Sequence, residues 1–264
     1  MDEAGGYLDY AFVAELYDYV TPYAARPDVD FFVEAALEAG GPVLEVGCGT
    51  GRVLIPTARA GVPITGIDLS PHMLAVCRER LAAETPDMQQ RATLVEADMR
   101  DFSLDETFAL ATIPFRPFQH LLTAADQIAC LETIHAHLAP GGRLILDVFN
   151  PKLEALTADD VGVEMPLEED FGLPDGRHVR RSHKTNGRDL FRQILDLELI
   201  YYISGPDGRE ERLVHAFHMR YLFRFEAEHL LARCGFTIEA LYAGYDKSPY
   251  GSRYPGELIF VAQK

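Results

Sequence analysis

Apolar and polar positions follow one rhythm over the first 150 residues and another after it. Val43-Leu44-Glu45-Val46 is a short apolar run of strand length, followed by a glycine-rich turn and a stretch of helical spacing over 52–60 that Gly61 closes. A second strand over 62–69 ends at Asp68, where Ser70-Pro71 supplies an N-cap and a proline at the first helical position for a helix to about residue 83. The third strand, 92–97, stops before Asp98. The fourth, Phe108–Ile113, runs into Pro114-Phe115-Arg116-Pro117-Phe118-Gln119-His120, where two prolines end the regularity. A helix over 124–138, stopped by Pro140-Gly141-Gly142, precedes a fifth strand over 143–149. Upstream, 28–40 reads as a helix with Asp28 as N-cap and Gly40 as its stop. Strands alternating with helices in this way predict an α/β fold, a doubly wound and mostly parallel sheet with helices on both faces.

After Asn150-Pro151 long two-residue alternations replace the helices. Phe191, Gln193, Leu195, Leu197, Leu199 and Tyr201 share one face of a strand, and Pro206-Asp207-Gly208-Arg209 turns the chain into a partner over 213–223. His215, His218, Arg220, Tyr201 and Tyr202 are divided between the two faces, and the sequence leaves open which set faces a core. The acidic run 164–170 reads as a solvated segment. A helix over 226–234 ends at Gly235, and strands over 237–245 and 257–263 return to the sheet. The expected organisation is residues 1–150 as N-terminal helices and core, 151–225 as an antiparallel β insertion over the active site, and 226–264 as the closing helix and strands.

Charge narrows the partners. The 264-residue chain has a net charge of −17, which repels a phosphate backbone and argues against nucleic acid. No apolar run approaches the length of a membrane span. Cys48, Cys77, Cys130 and Cys234 form no C-x-x-C pair, and the N-terminus lacks a basic-then-apolar leader, so we expect reduced thiols in a cytoplasmic protein. The Cys and His spacings suggest no metal site. With no Trp, an aromatic wall has to come from the 15 Phe and 12 Tyr.

In an open parallel sheet ligands bind beyond the carboxyl ends of the strands. Those ends here hold Glu45, Asp68, Asp98 and the Ile113-Pro114 turn. The segment Glu45-Val46-Gly47-Cys48-Gly49-Thr50-Gly51-Arg52 has the glycines that let backbone approach a ligand, but the dinucleotide fingerprint requires Gly or Ala where Arg52 stands. A carboxylate at Glu45 would repel a pyrophosphate and attract an ammonium. Asp68 is placed to accept ribose hydroxyls and Asp98 the exocyclic amine of adenine, so the pocket suits a nucleoside bearing positive charge.

At these residues the chain resembles the class I S-adenosylmethionine-dependent methyltransferases. E-V-G-C-G-T-G-R, I-D-L-S-P-H-M-L, E-A-D-M-R and L-A-P-G-G-R-L-I-L-D-V-F fall in order across residues 41–150. The resemblance implies a seven-stranded Rossmann-like sheet whose last strand inserts antiparallel beside the fifth. It also implies S-adenosyl-L-methionine as cofactor, bound by Tyr17, Arg26, Glu45, Gly47, Cys48, Gly49, Asp68, Leu69, Met73, Asp98, Met99 and Ile113, with Arg26 on the methionine carboxylate and Tyr17 over the cofactor.

R-P-F-Q-H-L-L after the fourth strand, D-V-F-N-P after the fifth and the β insertion are similar to small-molecule N-methyltransferases of the glycine and amino-sugar type. Arg116 stands where the glycine enzymes have Asn, which speaks against glycine as the acceptor. The expected reaction is in-line methyl transfer to a small-molecule acceptor, nitrogen being favoured over the oxygen of a phenol or alcohol. His120 is the candidate general base, with Arg116, Phe118 and His120 as acceptor contacts. A NAD-type oxidoreductase and a non-catalytic binding module stay open as alternatives, and the hairpin edge offers a surface for a homodimer.

Overall fold

The structure, a computed structural model, describes residues 6–20, 23 and 26–264. In chain order α1 (Gly6–Asp9), α2 (Ala11–Leu16) and α3 (Asp28–Ala39) lead into β1 (Val43–Val46), α4 (Leu54–Arg59), β2 (Ile64–Asp68), α5 (Pro71–Ala82), α6 (Pro86–Gln89) and β3 (Ala92–Glu96). Then follow β4 (Phe108–Ile113), a 3-10 turn (Pro117–His120), α7 (Ala124–His137), β5 (Leu138–Val148) and α8 (Leu153–Leu156). The insertion contributes β6 (Glu164–Pro166), β7 (Phe171–Gly172), β8 (His178–Asp189), β9 (Ile194–Ser204) and β10 (Glu210–Arg220), before α9 (Arg224–Arg233), β11 (Thr237–Tyr242) and β12 (Leu258–Gln263) close the chain.

Internal contacts divide the chain into two units. One joins Pro27–Pro151 with Tyr221–Lys264; the other joins the described residues up to Arg26 with Lys152–Arg220. The N-terminal segment, which the sequence grouped with the core, therefore clusters with the insertion.

The larger unit is a seven-stranded sheet in the order β11-β12-β5-β4-β1-β2-β3. β1 pairs in parallel with both β2 and β4, whereas β12 runs antiparallel to β5 and β11 antiparallel to β12. Every residue of the interior strand β1 is buried, as expected of a parallel strand covered on both faces. Local chemistry sets the helix starts. Ser70 Oγ accepts the Met73 N–H at 3.3 Å ahead of Pro71, and Thr123 Oγ1 accepts the Asp126 N–H at 3.1 Å at the head of α7. β5 begins at Leu138, earlier than expected, because Pro140-Gly141-Gly142 lies within a register break opposite Phe108 and Leu110 and does not end the strand pairing. Asp28 is likewise not the cap of α3. Pro27 takes that position, and Asp28 is the first helical residue and fully buried.

The smaller unit is a sheet in the order β10-β9-β8-β6, with β7 also pairing β8. Its buried face carries Val179, Arg181, Tyr201, Ile203, His215 and Phe217, while Tyr202, His218 and Arg220 lie on the other. Arg181 is buried with its Nη1 on Glu168 at 2.7 Å and its Nη2 on the Tyr23 hydroxyl at 3.0 Å, and its guanidinium lies over the Tyr23 and Tyr201 rings. His215 packs among the rings of Tyr7, Tyr10 and Phe217. The acidic run is not simply solvated. Glu164 lies on β6 and accepts from Ser182 and from Tyr202, and Glu168 neutralises Arg181.

Candidate active site

The site is built where β1 gives way to its glycine turn. The Gly47 and Cys48 N–H groups both donate to the Ile67 carbonyl, at 2.8 and 3.0 Å, which folds the turn back onto the tip of β2. Gly47 has φ 73°, and a Cβ there would stand 2.6 Å from Pro117, so only glycine lets the loop after β4 close on this turn.

Asp68 ends β2. Its Oδ2 accepts the Gly49 N–H and its Oδ1 the Ser70 N–H, each at 2.8 Å. Burial raises its carboxyl above the usual range, opposed by these backbone donors. Ala97 N–H donates to the Asp68 carbonyl at 3.0 Å, so Asp98 stands one residue beyond that contact on the neighbouring strand tip. Its carboxylate is forked by Arg100, which holds it below the ordinary range.

Glu45, on β1, is 2% exposed and its Oε2 has no hydrogen-bond partner among the described residues. Burial pushes its carboxyl up to about 8; Arg52 lowers it, and Asp28 and Asp68 raise it further. The three carboxylates thus crown adjacent strand tips. Arg52 forks onto Asp28 at 2.6 and 2.7 Å and stands 5.2 Å from the centroid of the Phe115 ring. The residue that breaks the dinucleotide fingerprint is therefore the counterion of a buried aspartate.

The loop after β4 is pinned from several sides. Phe115 and Arg116 are consecutive non-glycine residues with φ 60° and 75°. Asp147, fully buried on β5, accepts the Phe115 N–H at 3.1 Å and the Tyr245 O–H at 2.7 Å on the same oxygen. Arg116 pairs with Glu257 at 2.9 Å and lies over Phe149, and Gln119 Oε1 accepts the Phe149 N–H at 2.6 Å. His120 ends the 3-10 turn, half-buried.

The other expected contacts lie in different surroundings. Phe118 is wholly buried and packs in the core, so it offers no surface to an acceptor. Ile113 and Cys48 also turn their side chains into packed core, leaving their backbone at the strand ends, and burial drives the Cys48 thiol far up; Met73 is buried in the first turn of α5. Met99 packs half-buried against the core and Leu69 is exposed. Tyr17 and Arg26 belong to the smaller unit, where Tyr17 packs on Tyr7 and Tyr23; the larger unit assembles the carboxylates and the glycine turn by itself. Sequence reasoning missed Asp28, Arg52, Asp147 and Tyr245 as site builders. A signal existed for one of them: Asp147 is a lone acid inside the apolar run Leu144-Ile145-Leu146-Asp147-Val148.

A methyltransferase-domain family matches residues 43–142. Among curated relatives, dTDP-3-amino-3,6-dideoxy-alpha-D-glucopyranose N,N-dimethyltransferase of Streptomyces fradiae is 28% identical over 255 residues, covering 91% of this chain and 90% of its own. Among solved structures, the CcbJ methyltransferase of Streptomyces caelestis shares the fold, with a TM-score of 0.75 at 23% identity over 99% of this chain and 98% of that one. CalS10, an amino pentose methyltransferase of Micromonospora echinaspora solved with S-adenosylmethionine bound, gives a TM-score of 0.66 at 25% identity, covering 89% of each chain. No helix among the described residues is long and apolar enough to cross a membrane.

Proposed function

We propose that this S-adenosylmethionine-dependent methyltransferase acts on an amine nitrogen of a small molecule of the amino-sugar class. The observation that carries the reading is the set of carboxylates at adjacent strand tips, with Glu45 Oε2 buried and lacking a donor among the described residues. Such a set of carboxylates fits a ligand with an ammonium and a sulfonium; a diphosphate would meet Glu45, Asp68 and Asp98 at once. When bound, S-adenosylmethionine supplies a methyl group on a sulfonium centre already activated for displacement.

The protein's task is then to hold two atoms in line and keep water out, and positioning of this kind is worth roughly 7–11 kcal/mol. Glu45 takes the ammonium. Asp68 accepts backbone N–H groups on both oxygens, which orients its carboxylate toward the ribose hydroxyls. Asp98 accepts the adenine amine, and the Met99 backbone lies beside it. Gly47, Cys48, Gly49, Leu69, Met73 and Ile113 line the cofactor through backbone and shape. An amine must attack neutral, so His120, at the end of the pinned loop, receives its proton, a contribution of about 10²-fold. Arg116, engaged with Glu257 and Phe149, fixes that loop.

Relatives that methylate amino sugars at nitrogen support the choice of acceptor. The net charge of −17 and the four buried free cysteines support a cytoplasmic enzyme with no nucleic-acid partner, and the sheet edge at β10 supports a homodimer.

Incubating the enzyme with methyl-labelled cofactor and a panel of amino sugars, amino acids, biogenic amines and phenols tests the reading. Label on an amino-sugar nitrogen is expected, and Asp68→Ala should abolish cofactor binding in direct titration. Label confined to phenols or alcohols, or a wild-type protein that binds neither the cofactor nor its demethylated product, would overturn it.

A further inference from the structure

The turn that follows β3 is tied down beyond what a surface turn requires. Arg100 meets the Asp98 carboxylate three ways: its backbone N–H reaches Oδ1 at 2.8 Å, its Nε lies 3.0 and 3.1 Å from the two oxygens, and its Nη2 reaches Oδ2 at 2.6 Å. The remaining arm, Nη1, donates to Asp126 on α7 at 3.0 Å. Asp126 is itself fixed, accepting the Thr123 hydroxyl at 2.5 Å. One helical stretch further along α7, the Thr133 hydroxyl donates to the Arg100 carbonyl at 3.0 Å. His137 Nε2 accepts the Leu104 N–H at 3.0 Å, and its ring lies 4.6 Å from that of Phe102.

A free aspartate rotates broadly about χ2, and its carboxylate then offers lone pairs in no fixed direction. A guanidinium laid side-on along both oxygens removes that freedom, and because the Arg100 backbone N–H also takes Oδ1, the open edge that remains is the outer lone pair of Oδ2. We propose that Arg100 is a positioning residue for base recognition, clamping Asp98 and tying it to α7 so that the open carboxylate edge meets the adenine amine and rejects a base with a carbonyl in its place. This rests on the reading of Asp98 as the adenine contact. The same clamp keeps the Asp98 carboxyl ionised, because Arg100 holds it below the usual range.

The test compares two ligands by calorimetric titration: S-adenosylhomocysteine, and S-inosylhomocysteine, in which a carbonyl replaces the amine. The wild type should prefer the first, and Asp98→Ala should remove the preference. Arg100→Ala should cut the preference about 10-fold, the scale of one charge-assisted hydrogen bond. Arg100→Lys, a point charge without the fork, should recover only part of it. Thermal midpoints of all variants establish that they are folded, and Arg100→Lys serves if Arg100→Ala does not fold. If both Arg100 variants weaken the two ligands equally, the ratio is untouched and the proposal is overturned while Asp98 keeps its role. If Asp98→Ala retains the wild-type ratio, the adenine reading fails and takes the proposal with it.

Discussion

Arg52 and Asp28 form a two-pronged ion pair, 2.6 and 2.7 Å, in which the carboxylate is fully buried and the guanidinium 12% exposed. The pair joins the first turn of α3 to the glycine turn, and its positive end faces Glu45 and the Phe115 ring. Breaking such a pair from one side strands a charge, at a cost of roughly 3–5 kcal/mol. Asp28→Ala should therefore lower unfolding stability by about that amount in a denaturant titration. Arg52→Met should in addition weaken cofactor binding, because Glu45 loses a cation that offsets its burial. A stability change within 1 kcal/mol for Asp28→Ala would contradict the account.

The raised carboxyl of Glu45 makes cofactor binding proton-linked. Burial pushes it up to about 8, so below that pH the free protein holds a proton there. A bound ammonium favours the ionised form and the proton leaves. Affinity should therefore rise with pH toward about 8 and level off above it, by up to about tenfold per unit. Calorimetry at pH 7 in buffers of different ionisation enthalpy should detect proton release that Glu45→Gln abolishes. The sign for stability is opposite to that of an ordinary paired carboxylate. The group's contribution is fully present below the usual Glu range and is lost as pH climbs from there through about 8, so Glu45→Gln should flatten the fall in the thermal midpoint over that window.

Asp147 holds two donors on one oxygen, and one of them, the Phe115 N–H, opens a pair of left-handed residues. Each such residue stores about 1–3 kcal/mol that its surroundings must offset. Asp147→Leu should let the loop relax, lowering turnover by about 10²-fold while cofactor affinity changes little. Asp147→Asn, which keeps an accepting oxygen, should retain most of the activity. Equal losses in turnover and cofactor affinity for the leucine variant would show that Asp147 supports the whole sheet and not the loop.

Gly47→Ala places a methyl group 2.6 Å from Pro117 in a backbone conformation with φ 73°. The glycine turn and the loop after β4 must then separate. We expect a lower thermal midpoint together with weaker cofactor binding, both measurable by fluorimetric melting with and without S-adenosylhomocysteine. A midpoint shift that is the same with and without ligand would place the damage outside the site.

The strand ends were readable before folding because they depend on neighbours in the sequence. Apolar runs bounded by glycines and acids set β1 to β4, Ser70-Pro71 set the start of α5, and the order of Glu45, the glycines, Asp68 and Asp98 set the ligand chemistry. Phe118 was misread for the opposite reason. It lies between polar residues and prolines in a loop, and only packing shows that the loop turns it into the core.

The amino-acid order alone determined the sheet's alternation and the acidic crown at its tips, since strand length, helix caps and glycine turns are local properties. Tertiary structure alone decided that Asp28 serves Arg52 instead of capping a helix, and that Asp147 reaches the loop after β4. It also decided that the acidic run neutralises Arg181 and that the N-terminal segment joins the insertion. Each of these pairings brings together residues distant in sequence, chosen because a buried charge or N–H must find its partner wherever the fold supplies one.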